Sequence, residues 1–262
     1  MRSNKAILLA AIALFALPSC ANQAEAKTYI GIISAMDNEV SLLLERASIK
    51  EKRTVGGITF HVGTLQGKDV VISPSGIGKI RCASGITSML SLFDISSVIF
   101  TGIAGGTRDE ESVLDEVIAT SLVEHDYGYV TNDGFVWGGG DPGMQDPGEE
   151  FYPDKGLVDL AYQSALSVME ESHIFKGCIA TGDQFIASKD YVEGLVRDFD
   201  AYACEMEGAA AAKVCTAYET PFAILRTLSD KADGEAGESY LNFGDLAAMQ
   251  SNRIVLKMLE SM

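Results

Sequence analysis

Short apolar, β-branched runs alternate along this chain with stretches whose hydrophobic residues recur at helical spacing. Lys27 to Ser34 (KTYIGIIS) predicts a buried strand, and the spaced leucines of Asp37 to Ile49 predict a helix after it. Val70 to Ser73 predicts a second strand, ended by the turn Pro74-Ser75-Gly76-Ile77-Gly78-Lys79 and a helix through about Leu92. Ser97 to Thr101 predicts a third strand, ending in a Gly102-Ile103-Ala104-Gly105-Gly106 turn. Val117 to Leu122, Gly177 to Thr181 and Pro221 to Leu225 predict further strands. Apolar strands alternating with amphipathic helices predict an α/β fold, a three-layer α/β/α arrangement with helices on both faces of one sheet. No repeat, low-complexity tract or composition shift marks a second domain. Two segments break the rhythm. Ala201 to Ala212 is uncharged except for Glu205 and Glu207 around Met206, and Gly208 with Ala209 to Ala212 predicts a close-packed helix. The acids then fall in its first turn, where free N–H groups and the helix dipole accept negative charge, either as plain caps or as part of a site. Tyr127 to Pro153, rich in Gly, Asp and Pro, predicts a long loop that is either a functional or partner-contacting element or a surface excursion.

Composition narrows the choices. The chain carries 37 acidic against 20 basic residues, which excludes nucleic acid as a partner, since phosphate binding needs basic surface. Arg2 and Lys5 precede an uninterrupted apolar run from Ala6 to Leu17, shorter than the roughly 20 residues that span a bilayer. This is the form of a bacterial export signal, and Leu17-Pro18-Ser19-Cys20 resembles a lipobox in which Cys20 is lipidated. Ala24-Glu25-Ala26 offers simple cleavage as the alternative. Residues 1–26 are therefore read as signal and tether and 27–262 as the folded domain, exported to the periplasm or cell surface and lipid-anchored to a bacterial membrane. Cys82, Cys178, Cys204 and Cys215 sit in apolar segments without C-x-x-C or Cys–His spacing, and read as buried free thiols. Gly76-Ile77-Gly78-Lys79 matches neither a P-loop nor a dinucleotide fingerprint, and no G-x-S-x-G elbow is present. His61, His125 and His173 stand in no triad context and read as structural.

Ligands of open α/β sheets bind beyond the carboxyl ends of the strands. Those ends carry Glu39, Ser75 to Gly78, Gly102 to Gly106, Phe185-Ile186, Glu205-Met206-Glu207, Arg226 and Ser229-Asp230. Acids, one arginine, permissive glycines and apolar side chains together describe a pocket for a molecule that is part polar and part flat.

Six segments occur in order and carry a resemblance: Ile30 to Val40 (IGIISAMDNEV), Ser75 to Lys79 (SGIGK), Thr101 to Gly106 (TGIAGG), Gly182 to Ile186 (GDQFI), Glu205 to Glu207 (EME) and Ser229-Asp230. Over nearly all of Thr28 to Met262 the chain resembles the 5′-methylthioadenosine/S-adenosylhomocysteine nucleosidases of the purine nucleoside phosphorylase-like superfamily. The resemblance implies a nucleoside phosphorylase-like fold with a central twisted mixed sheet, no metal or organic cofactor, and a homodimer in which the partner helps to close the site. It assigns Asp230 as the acid at purine N7, oriented by Ser229, and Glu39 as the base that activates water. Glu207 would hold the ribose hydroxyls, with Glu205 as support. Phe185 would stack on adenine and the Ile186 backbone would read its edge. Met206 would lie under the ribose, Gly105 would border the ligand, and Met36, Ile77 and Phe243 would line the 5′-alkylthio pocket. Tyr127 to Pro153 is the segment expected to reach the partner's site. Ile103 stands where many of that family have serine, so the water relies on Glu39 and Arg226. The loop after His125-Asp126 departs from the family pattern, which leaves methylthioadenosine, S-adenosylhomocysteine and 5′-deoxyadenosine unranked. Two other activities fit the same pocket: a phosphorylase using phosphate, which Glu39 would repel, and a nucleoside-binding lipoprotein, which would need no acid and base.

Overall fold

Ile30 to Ile33, Val70 to Ile72 and Val98 to Phe100 are apolar at consecutive rather than alternate positions because their strands are covered on both faces. The computed structural model describes residues 27–138 and 148–262; the export segment with Cys20, and residues 139–147 of the long loop, lie outside the described residues. The strands are β1 (Tyr29–Ser34), β2 (Ser48–Val55), β3 (Ile58–Leu65), β4 (Lys68–Pro74), β5 (Ile95–Gly106), β6 (Glu116–Glu124), β7 (Gly128–Thr131), β8 (Gly134–Trp137), β9 (Glu150–Phe151), β10 (Ile174–Thr181), β11 (Ala201–Glu205) and β12 (Phe222–Asp230). The helices are α1 (Ser41–Arg46), α2 (Lys79–Leu92), α3 (Lys155–Leu166), α4 (Lys189–Phe199), α5 (Gly208–Ala217) and α6 (Ala236–Ser261).

The main sheet runs β11-β10-β6-β12-β5-β1-β4-β3-β2, with β9 added beside β6. It is mixed: β1 lies parallel to β4 and β5, while β12 is parallel to β5 and antiparallel to β6. Helices α2 and α5 pack on one face through Cys82, Ile86, Met89, Ala209, Ala212 and Cys215. Helices α1, α3 and α6 pack on the other through Leu43, Val158, Ala161, Ile254 and Met258. All four described cysteines are buried free thiols, and burial pushes Cys178 up to about 11 and Cys215 up to about 12.

Three features differ from the sequence-based expectation, each for a physical reason. The helix predicted for Asp37 to Ile49 ends at Arg46, and Ser48–Val55 is an edge strand paired antiparallel with β3. Its sequence SIKEKRTV is nearly all exposed, and edge strands carry charge to discourage further pairing, which hides them from a hydrophobic pattern. The Gly102 to Gly106 segment is the end of β5, not a turn. Its far end pairs antiparallel with β11, Gly105 opposite Cys204 and Gly106 opposite Ala203, and so closes one end of the sheet on itself. The long loop holds a hairpin, β7-β8, whose Trp137 packs edge-on against Phe199 at 5.1 Å and donates from Nε1 to the Glu124 carbonyl at 2.7 Å.

Candidate active site

The glycines of β5 decide where carboxylates can sit. A Cβ at Gly102 would lie 2.6 Å from Glu39 Oε1, and one at Gly105 would lie 2.8 Å from Asp230 Oδ1. Only a strand bare of side chains there lets both acids rest against its backbone.

Glu39 stands in a 3-10 turn, Asn38–Val40, between β1 and α1, and is buried. Its Oε2 accepts from the Ala35 and Met36 amides at 3.0 and 2.7 Å, and its Oε1 from the Ile103 amide at 3.0 Å. Asn252 of α6 ties the turn down by donating to the Glu39 carbonyl at 2.6 Å. Burial holds the Glu39 carboxyl above the usual carboxylate range, while nearby Arg226 and the three amides pull the other way.

Asp230 ends β12. Its Oδ1 accepts from the Ala232 amide at 2.8 Å and its Oδ2 from Ser229 Oγ at 2.8 Å. The single Ser229 hydroxyl proton also has the Ala104 carbonyl within 3.3 Å, so the serine keeps an acceptor whether or not Asp230 is protonated. Burial raises the Asp230 carboxyl above its usual value.

The two glutamates around Met206 have different surroundings. Glu205, the last residue of β11, is filled with donors. Oε2 takes Arg226 Nη2 at 2.6 Å and the Glu207 and Gly208 amides at 3.0 and 2.8 Å, and Oε1 takes the Thr181 hydroxyl. It caps α5 and neutralises Arg226, whose guanidinium also lies 4.2 Å from the centre of the Phe100 ring. Among the described residues Glu207 has one such partner, the Gly78 amide at 2.7 Å to Oε1. Burial first, then the charge of Glu205, pushes Glu207 up to about 8.

Arg226→Met tests the buried pair. Stripping Glu205 of its cation is expected to destabilise the fold by about 3–5 kcal/mol, read from the urea midpoint. Arg226→Met combined with Glu205→Gln should regain part of that loss, because no lone charge is left; equal midpoints for parent and single variant would rule the pairing out as a support.

Glu39, Glu205, Met206, Glu207, Ser229 and Asp230 line one cavity of about 320 Å³ together with Met36, Ile77, Gly105, Phe185 and Ile186. Ile77 and Phe185 remain half exposed at its mouth. Two of the expected site residues stand elsewhere. Arg226 lies beneath the floor and lines no part of the cavity, and Phe243, 37% exposed on α6, is outside the lining. Tyr240, one helical turn before Phe243, takes the wall instead, with its hydroxyl 3.6 Å from Met36 Sδ and its ring 6.2 Å from Phe185. Its signal in the sequence is the i, i+3 spacing to Phe243, and only the rotation of α6 decides between them. The histidines stay off this cavity: buried His125 contacts Tyr191 Oη at 3.3 Å and His173 contacts Asp115 at 2.6 Å.

The model of the phosphorylase superfamily matches residues 29–260. A 5′-methylthioadenosine/S-adenosylhomocysteine nucleosidase of Bacillus thuringiensis is 40% identical over 234 residues, covering 89% of this chain and 99% of the relative. The nucleosidase of the same name from Neisseria meningitidis, solved with methylthio-immucillin-A, superposes with a TM-score of 0.80 at 34% identity, over 90% of this chain and 100% of that one. A futalosine hydrolase of Helicobacter pylori reaches 0.78 at 32% identity, over 90% of this chain and 99% of its own. By the superfamily match across almost the whole domain and the identity to full-length relatives, the chain belongs to the phosphorylase superfamily and, within it, to the 5′-methylthioadenosine/S-adenosylhomocysteine nucleosidases.

Proposed function

We propose that the chain uses water to cleave the N-glycosidic bond of the 5′-thioalkyl adenosines methylthioadenosine and S-adenosylhomocysteine, releasing adenine and the thioribose, and that of 5′-deoxyadenosine, releasing adenine and 5-deoxyribose. The observation that carries this reading is one cavity lined by both Glu39 and Asp230, with Glu207 beside them and apolar Met36, Ile77 and Tyr240 on its wall. Asp230, its carboxyl raised by burial, gives its proton to purine N7 as the C1′–N9 electron pair leaves with adenine. Glu39 accepts a proton from water while the hydroxide oxygen bonds to C1′, and Glu207 accepts from the ribose hydroxyls and favours the cationic sugar. Glu205 and Arg226 hold the floor, and the 5′ sulfur rests among Met36, Ile77 and Tyr240, where thioether packs well.

Phosphorolysis is disfavoured by the charge of the site. Among the described residues that line the cavity there is no lysine or arginine, and the nearby Arg226 is committed to Glu205. Adenine release from methylthioadenosine is therefore expected at the same rate with and without phosphate. Release that depends on phosphate and yields a ribose 1-phosphate would reverse the assignment to hydrolysis.

The reading extends to location and assembly. The family match begins at residue 29, leaving the basic head, the apolar run and Cys20 outside it. Export with lipidation of Cys20 would place the enzyme where it meets nucleosides from outside the cytoplasm, anchored to a membrane by lipid alone. The half-exposed Ile77 and Phe185 at the mouth suit a homodimer whose second subunit covers the 5′ end of the site.

A further inference from the structure

Asp230 is followed by a backbone turn that alanine rarely makes. Ala232 is buried with φ +51°, where its Cβ crowds the following carbonyl oxygen and the conformation is disfavoured by about tenfold. This residue is bound on two sides. Its amide is the donor to Asp230 Oδ1 at 2.8 Å, and its carbonyl accepts from the Ser188 amide at 2.9 Å, just past the Phe185-Ile186 segment. A Cβ at Gly105 would stand 2.9 Å from the Ala232 Cβ, so β5 is bare where the turn leans on it.

A disfavoured conformation persists only where its surroundings hold it, and Lys231 is placed to do so. Its Nζ donates to the carbonyl of Arg108 and, at 2.7 Å, to that of Glu111. The chain has 37 acidic residues, yet among the described residues this ammonium has no carboxylate within ion-pair distance and ends on backbone carbonyls instead. Those carbonyls belong to the segment from Thr107 to Asp115 between β5 and β6, which is itself tied down. Buried Glu111 accepts the Thr107 and Arg108 amides on Oε2, both at 2.9 Å. Arg108 Nε donates to the Ala201 carbonyl of β11 at 2.9 Å, and the Leu114 amide to the Leu228 carbonyl of β12 at 2.8 Å. Lys231 therefore fastens the residue between Asp230 and Ala232 to a platform joined to β11 and β12.

We propose that Lys231 is a positioning residue for the reaction: its ammonium latches the turn to this platform and holds Ala232 in the left-handed conformation from which its amide fixes Asp230 Oδ1. The proposal rests on Asp230 being the acid, as argued above, and adds what orients it. An amide can only donate, so Oδ1 is kept as the acceptor and the transferable proton belongs on Oδ2. Ser229 accommodates that proton by turning its own to the Ala104 carbonyl. The same amide favours the ionised carboxylate, which keeps Asp230 a stronger acid than burial alone would leave it.

The experiment measures kcat, KM and the pH profile for methylthioadenosine in the parent, Lys231→Met, Ala232→Gly and the double variant, with urea midpoints as a control for folding. Glycine takes a positive φ freely, so it separates a latch from a lysine that merely supports the fold. Lys231→Met alone is expected to lower kcat about tenfold, the bias of alanine against the left-handed region, with KM within about twofold. In the Ala232→Gly background the same Lys231→Met change should lower kcat by less than about threefold, because no strained alanine is left to hold. The alkaline limb of kcat/KM should move upward in Lys231→Met, where Asp230 has lost its amide, and return in the double variant. The ionisable groups facing Asp230 are the same in every variant: Asp233 on its own loop, Cys204 of β11, Tyr240 of α6, and Glu39, Glu205 and Glu207 across the cavity. Parental kcat in Lys231→Met, a loss in KM instead, or an equal kcat loss in both backgrounds overturns the latch while leaving the hydrolase in place. Unfolding of Lys231→Met that Ala232→Gly does not reverse overturns it as well. A parent that releases no adenine overturns the activity and the latch with it.

Discussion

Asp230→Asn is expected to lower kcat for adenine release by about 10²–10⁴-fold, the contribution of a positioned general acid, while leaving the urea midpoint nearly unchanged. The substitution is close to silent in structure. The side-chain carbonyl of asparagine can still accept from the Ala232 amide, and its NH2 can donate to Ser229 Oγ, which then turns its own proton to the Ala104 carbonyl. What disappears is the transferable proton, and adenine is a poor leaving group without it. Methylthioadenosine should consequently bind to the variant and remain intact, which equilibrium dialysis and product analysis both read. Turnover within tenfold of the parent would remove Asp230 from the chemistry, and a collapsed midpoint would make its role structural.

Much of this site was legible in the sequence because strand ends are punctuated by residues with few alternative uses. Glu39, Ser229-Asp230 and Glu205-Met206-Glu207 each follow an apolar run, and the fold brings all of them to one cavity. The sequence also separates buried strands well, since β1, β4 and the first half of β12 carry apolar runs that serve both faces. Elements whose identity depends on partners were not legible. Charged β2 is a strand only because β3 offers it an edge, and the glycines at the end of β5 look like a turn until β11 pairs with them. The choice of Tyr240 over Phe243 follows from how α6 is rotated against β12 and β5, and no local pattern reports that rotation. Glu205 and Glu207 look equivalent in sequence, whereas in the fold one is saturated by Arg226, Thr181 and two amides and the other retains capacity for a ligand.

Glu39→Gln is the second large effect expected, again about 10²–10⁴-fold in kcat, but it differs from Asp230→Asn in two measurable ways. The first is structural. Three backbone amides aim at the Glu39 carboxylate, two at Oε2 and one at Oε1. A glutamine satisfies the Ala35 and Met36 amides with its carbonyl and must then set its NH2 against the Ile103 amide. One buried donor is left unmet, at a cost of about 1–3 kcal/mol, so the urea midpoint should drop for Glu39→Gln and not for Asp230→Asn. The second is the pH profile. A base works only when ionised, and burial raises Glu39 above the ordinary carboxylate range. Parental kcat/KM should therefore climb with pH through a limb displaced upward from that range, as Glu39 loses its proton. On the alkaline side it should fall as Asp230, also raised, loses the proton it must donate. Because these groups share one cavity with Glu207, the two limbs belong to the cluster as macroscopic values, and the variants assign them. Residual activity of Glu39→Gln should lose the acidic limb and keep the alkaline one, and Asp230→Asn should do the reverse. An acidic limb that survives in Glu39→Gln would place the base on another side chain, with Glu207 as the group then facing the water.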